Sequence, residues 1–339
     1  MKKLAIGLYA VITIALMVWG FYQAFYAAPV DALQGEYYRI IFYHVPSATV
    51  AFLFFAVSLA GSIGFLAYRR NHPARAQAAD AWALAGAEVG VIFCTVVLIT
   101  GPIWGRRAWN MWWTWDARLT TTLILWLIYV SYLLLRRFVA GPQMQTLAAV
   151  LGIFGAIDVP IVYMSNRWWR TQHPAPVFGG DSSSGMAPAM VSVLLWNMLA
   201  WLMWGVLILV LRYQVERKQQ KVAAQEVQEA LNAGSGEKAR YEFEERRKKP
   251  VIALLFAIPT VLLAWSCYLV LSGPPQPYFG WQSQMSAADH DRILAVLGHK
   301  FTVAAFAVTW AIQLGYLAWL GMKWRAENRH DPQNQRRIR

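Results

Sequence analysis

Eight apolar runs organise this 339-residue chain, at about residues 4–27, 42–68, 80–103, 119–135, 144–165, 189–211, 251–271 and 301–322. About 20 consecutive apolar residues span a bilayer as a helix. Lipid offers no hydrogen bonds, so the backbone must satisfy its own, and a helix does so within one segment. The expected fold is therefore an all-α integral membrane protein, a polytopic helical bundle of about eight transmembrane helices. A mean hydropathy of +0.35 agrees with this. The first run follows Met1-Lys2-Lys3 as a secretory signal would. Its apolar stretch exceeds a signal core and no small-x-small cleavage site follows, so it reads as a retained helix.

The net charge of +13 would suggest nucleic acid in a chain without such runs. Its distribution argues for topology instead. With the N-terminus in the cytoplasm, eight spans alternate sides and both termini are cytoplasmic. The inner segments then hold 23 Lys and Arg, including Arg69, Arg70, Arg136, Arg137 and ten between Arg212 and Lys249; the outer segments hold 8. This is the positive-inside bias. Only two cysteines occur, Cys94 and Cys267, both within apolar runs. Without a CxxC or CxxCH motif the chain is not expected to carry covalent heme or a cysteine-ligated metal.

On the outer side, between the third and fourth runs, lies "WGRRAWNMWWTWDARLT", residues 104–120. It holds Trp104, Trp109, Trp112, Trp113 and Trp115 beside Arg106, Arg107, Asp116 and Arg118. Histidines flank it in sequence on the same side: His44 in "YYRIIFYHVPSA" and His173 in "NRWWRTQHPAP". Each residue has an ordinary reading. Tryptophans such as Trp168 and Trp169 form interfacial belts; Asp116 precedes the fourth run as a helix N-cap; arginines snorkel to headgroups. Taken together they suit one ligand. Clustered indoles offer a flat apolar surface to a flat macrocycle. Two imidazoles supply axial ligands to a central iron. Arginines pair bidentately with carboxylates. A flat ring, an iron and two propionates describe heme. No run carries a histidine in its interior, so an iron site belongs at the outer surface.

The loop resembles the tryptophan-rich WWD signature of the CcmC family, the heme exporter C proteins of cytochrome c maturation. Four further stretches share the likeness: "YYRIIFYHVPSA", "EVGVIFCTVVLITGPIWG", "IDVPIVYMSNRWWRTQHP" and "MAPAM", over about residues 35–200. The resemblance implies a six-span core in the bacterial inner membrane, with its heme site facing the periplasm. It implies non-covalent, transient heme b with His44 and His173 as axial ligands, and heme contacts from the loop residues Trp104, Trp109, Trp112, Trp113, Trp115 and Asp116; by position, Arg118 beside the loop and Trp168, Trp169 and Arg170 beside His173 can reach the same surface and are expected as further heme contacts. Its implied partners are a CcmE-like heme chaperone, CcmA- and CcmB-like ABC transporter subunits, a CcmD-like protein and membrane lipid, with no nucleic acid. The role is binding and relay rather than catalysis. The alternatives are a CcsA-like heme-delivery or cytochrome c synthase subunit, which also has about eight spans, and a structural subunit of an ABC complex that holds no heme. The chain departs from the family at Arg106-Arg107-Ala108 and Asn110-Met111, which fill loop positions that are often Lys-Pro or Gly-Thr.

The expected organisation is a six-span core at 1–212, a cytoplasmic helical and flexible linker at 213–250 broken at Gly234-Ser235-Gly236, and two further spans at 251–339, the last CcmD-like. Two acids fall inside spans, Glu88 and Asp158. Charge there is costly and faces protein or water, so function or a helix–helix hydrogen bond accounts for each.

Overall fold

A computed structural model describes residues 2–31, 34–109, 111–139, 141, 143–169, 171–173, 186–232 and 287–330. Most of the described residues are helical, and seven helices are long and apolar enough to cross a membrane. Helix α1 is Lys2–Tyr22, continued by a π-helical turn at Gln23–Ala27. A 3-10 turn, Glu36–Ile40, leads into α2, Ile41–Tyr68. Helices α3 (Pro73–Trp109), α4 (Ala117–Phe138), α5 (Met144–Trp168) and α6 (Pro188–Asn232) follow. The last described helix, here α7, is Ala287–His330. The apolar run at 251–271, expected as a span, lies outside the described residues, as does the Gly-Ser-Gly break. Prolines 73 and 188 open α3 and α6, where a missing N–H costs nothing.

The chain divides into two compact units, Met1–Val222 with Gly298–Arg339, and Ala223–Leu297. In the second, the described residues 223–232 and 287–297 are helical. The first holds the core. Helices without a hydrophobic drive between them associate through small residues that let backbones meet. At Gly61 a Cβ would stand 2.5 Å from the Ala83 backbone nitrogen, and at Gly86 one would stand 2.7 Å from the Phe54 carbonyl oxygen, so α2 and α3 pack as an antiparallel pair at backbone contact. Helices α4 and α5 close on this pair. Tyr129 stacks on Phe55 at 4.0 Å and donates to the Gly152 carbonyl at 3.1 Å.

Helix α6 runs without a break across residue 212, where the sequence places the end of the sixth span. Helix α7 lies parallel to α6. Trp204 Nε1 donates to Gln313 Oε1 at 3.1 Å, Gln219 Nε2 donates to Glu327 Oε1 at 2.7 Å, and Lys218 bonds Asn328. Aromatic rings fill the seam: Phe306 meets Phe21, Phe25 and Tyr43, and Trp310 meets Trp201 and Trp204.

Glu88 finds its partner on a distant helix. Arg212, which the sequence reading counts among the inner-face charges, is 2% exposed and donates Nε to Glu88 at 2.7 Å and Nη1 to Glu216 at 3.2 Å. The Tyr316 hydroxyl of α7 donates to the other Glu88 oxygen at 3.1 Å. A second buried pair joins Arg136 of α4 to Asp80 of α3 through contacts of 2.5 and 2.9 Å. Paired and hydrogen-bonded, such charges survive in a low-dielectric interior; either partner alone would not. Asp158 is buried, and one of its carboxylate oxygens lacks a hydrogen-bond partner among the described residues.

Candidate functional site

The residues singled out in the sequence gather at one end of the bundle. His44 sits in the first turn of α2, behind the 3-10 turn, and is buried. Three residues of the "TGPIW" stretch at the end of α3 surround its ring. Thr100 Oγ lies 2.9 Å from Nδ1. A Cβ at Gly101 would stand 3.3 Å from Cε1, so glycine there leaves clearance beside the imidazole. Trp104 meets the ring edge to face, with centroids 5.9 Å apart. Trp104 is itself fixed by a 2.7 Å hydrogen bond from Nε1 to Gln34 and by the edge of Tyr38. The α-helical periodicity of residues 100, 101 and 104 places all three toward α2.

The tryptophans are not one sheet of indole. Trp104, Trp112 and Phe301 pack on Ile40, Ile103 and Ala305, an apolar cluster shared with α7. Trp109 folds back over Gly105, where a Cβ would stand 3.2 Å from its ring. Trp113 and Trp115 meet edge to face at 5.7 Å, and Trp115 is 76% exposed. Trp168 and Trp169, at the end of α5, are also exposed. A large apolar surface left open beside a buried histidine is a place for a ligand or a headgroup region rather than core.

Asp116 performs the capping role read from the sequence: Oδ1 accepts from the Leu119 N–H at 2.9 Å. It also does something the sequence does not reveal. Its Oδ2 accepts from the Thr171 hydroxyl at 2.7 Å, and Thr171 Oγ accepts from the backbone N–H of His173 at 3.1 Å. One carboxylate thus ties the tryptophan loop to the histidine loop after α5. His173 is half-buried.

Arg118 is turned toward α5, donating Nε to Ser165 Oγ at 3.0 Å and Nη2 to the Tyr163 carbonyl at 3.2 Å. Arg170 lies outside the described residues. Arg107, at the departure from the family signature, is stacked between Tyr37 and Phe301, 5.5 Å from each ring. Its Nε and Nη2, Trp113 Nε1 and Thr120 Oγ are buried without hydrogen-bond partners among the described residues. Buried donors normally find acceptors, so each of these donors has bonding capacity to spare. Among the described residues no three His, Cys, Asp or Glu side chains form a metal cluster.

The Thr100, Gln34, Ser165 and Thr171 roles escape sequence reading, because each is a partner across helices. The threonine and glycine before "PIW" are the signal that was available.

The model of the heme exporter protein C family matches residues 1–228. The chain belongs to this family. Heme exporter protein C of Bradyrhizobium diazoefficiens is 40% identical over 196 residues, covering 56% of this chain and 72% of the relative. That of Escherichia coli is 32% identical over 205 residues, covering 60% and 80%. That of Paracoccus denitrificans is 33% identical over 217 residues, covering 63% and 86%. The matched region takes in α1 to α5, most of α6 and every candidate site residue. Helix α7, which supplies Phe301 to the tryptophan cluster and Tyr316 to Glu88, lies beyond it.

Proposed function

We propose that the chain takes part in heme export for cytochrome c maturation. It holds heme b, non-covalently and transiently, between His44 and His173 against the tryptophan surface, and passes it to a CcmE-like chaperone. The observation that carries this is the convergence, at one end of a membrane bundle of the heme exporter family, of a buried histidine, a second histidine loop tied to the tryptophan loop, and exposed indoles. The residues fit the cargo chemically. Imidazole nitrogen suits iron, the indoles suit the ring, and the open donors at Arg107, Trp113 and Thr120 suit carboxylates. An open surface also suits a relay, which must release what it binds.

The charge bias of the sequence supports an inner-membrane location with this end toward the periplasm. Family membership supports work alongside CcmA- and CcmB-like ABC subunits, which would supply the ATP hydrolysis. The packing of α7 against α1, α2, α3 and α6 supports the reading of that helix as a fused CcmD-like partner. The role we propose for the site is binding and ligand exchange.

Titration of the purified chain with hemin, followed at the Soret band, tests the reading. The wild type should give a six-coordinate spectrum. His44→Ala and His173→Ala should each lower affinity or change the coordination state, and His299→Ala, at an exposed position on α7, should not. Wild-type spectra from both of the first two variants would refute the bis-histidine site, and absence of any hemin binding would favour a structural subunit.

A further inference from the structure

We infer that Thr100 selects the tautomer of His44, holding the ring proton on Nδ1 and leaving Nε2 as the free donor atom. This rests on the heme reading only for its purpose, since the tautomer is a property of the cargo-free chain.

The inference comes from counting protons. A threonine hydroxyl has one hydrogen to give and can accept as well. Thr100 is fully buried, and its Oγ donates back to the Val96 carbonyl at 2.7 Å. This is the common bond of a helical threonine to the preceding turn. With its hydrogen so placed, the hydroxyl can only accept from the His44 nitrogen 2.9 Å away. Nδ1 must then carry the imidazole proton, and Nε2 carries the lone pair. The opposite arrangement would turn the hydroxyl to Nδ1 and so away from the Val96 carbonyl, giving up the 2.7 Å bond to the preceding turn.

The cradle around the ring is consistent with a fixed orientation. Gly101 gives clearance at Cε1 and Trp104 closes one side. Thr100, Gly101 and Trp104 come from one turn of α3, so a single helix end sets the proton, the room and the packing of the ring. A histidine ligand whose far nitrogen is bonded in this way presents its lone pair in one direction, and such outer partners commonly change metal affinity by about 10- to 100-fold. Thr100 is therefore a positioning residue: it touches the ligand, not the cargo.

Nitrogen NMR of the cargo-free full chain with 15N-labelled histidine tests this directly, using His44→Gln to assign the ring signals. The wild type should show a protonated Nδ1 and an unprotonated Nε2. The nearly isosteric Thr100→Val should lose that preference, and Thr100→Ser should keep it. A wild-type ring protonated on Nε2, or an unchanged tautomer in Thr100→Val, overturns the inference. Hemin titration adds a second readout: Thr100→Val should bind about tenfold or more weakly, with a shifted Soret band, and Thr100→Ser should restore the wild-type spectrum. If His44→Gln leaves hemin binding intact, the heme reading fails, while the NMR result still decides the tautomer.

Discussion

Asp116 and Thr171, 55 residues apart in sequence, share a 2.7 Å hydrogen bond that joins the tryptophan loop to the loop carrying His173. Because the other Asp116 oxygen caps α4, the position of His173 is referred to the rigid start of that helix. Thr171→Val should therefore weaken hemin binding several-fold while leaving helix content unchanged. Asp116→Ala should also cost about 1 kcal/mol of stability through the lost cap. The two substitutions act on one chain of contacts, so their effects on hemin affinity should be less than additive, by about 0.5 kcal/mol or more. Strict additivity in a titration of the double variant would show that the latch does not position His173.

The Glu88–Arg212–Glu216 cluster should be the most sensitive buried site. Arg212→Ala leaves two carboxylates without their cation, a change worth about 3–5 kcal/mol for a buried pair. Glu88→Gln retains hydrogen bonding to both Arg212 and Tyr316 and should cost much less. Thermal unfolding in detergent would check the order. Equal melting temperatures for the two variants would mean that the cluster is hydrated rather than buried.

Phe301→Ala removes one of the two rings that hold the Arg107 guanidinium. Stacking of this kind contributes about 0.5–1 kcal/mol at partly exposed sites. The loop should become more open to quenchers of tryptophan fluorescence, because Trp104 and Trp112 pack on the same apolar cluster as Phe301. Unchanged quenching would show that α7 covers the loop without restraining it.

The helical bundle and the gathering of the tryptophan loop at one end were legible in the sequence, because twenty-residue apolar runs and a dense aromatic loop are local signals. The cap at Asp116 was legible for the same reason. Its bond to Thr171 was not, since nothing near residue 116 reveals which loop will stand beside it. Arg212 reads as an inner-face charge at the end of an apolar run; only the parallel packing of α6 and α7 shows that it is buried against Glu88. Arg118 sits beside the loop in sequence and invited a propionate contact, yet two of its nitrogens are engaged by α5. Arg107 stood out as a departure from the family pattern, but its environment depends on a helix almost two hundred residues away.

The last prediction concerns that helix. Residues beyond 228 fall outside the family match, yet α7 supplies polar contacts to the core along its length: the Thr302 hydroxyl to the Glu36 carbonyl at 3.1 Å, Gln313 to Trp204, Tyr316 to Glu88 and Glu327 to Gln219. A chain ended at Gly234 keeps both histidines and the whole tryptophan loop. It should still bind hemin, but with lower stability, since Glu88 loses its phenol and the rings around Phe306 and Trp310 lose their cover. It should also release hemin to the chaperone more slowly, because Arg107 and the 3-10 turn before His44 lose their support from Phe301 and Thr302. Residues 287–339 supplied as a separate chain should restore both properties only at high concentration, because linkage within one chain gives two binding modules an effective concentration of about millimolar. Melting temperature and the rate of hemin transfer, measured against added helix, separate the outcomes. Full stability and transfer without α7 would show that the extension only packs on the bundle. Loss of hemin binding on truncation would show instead that α7 is part of the binding core.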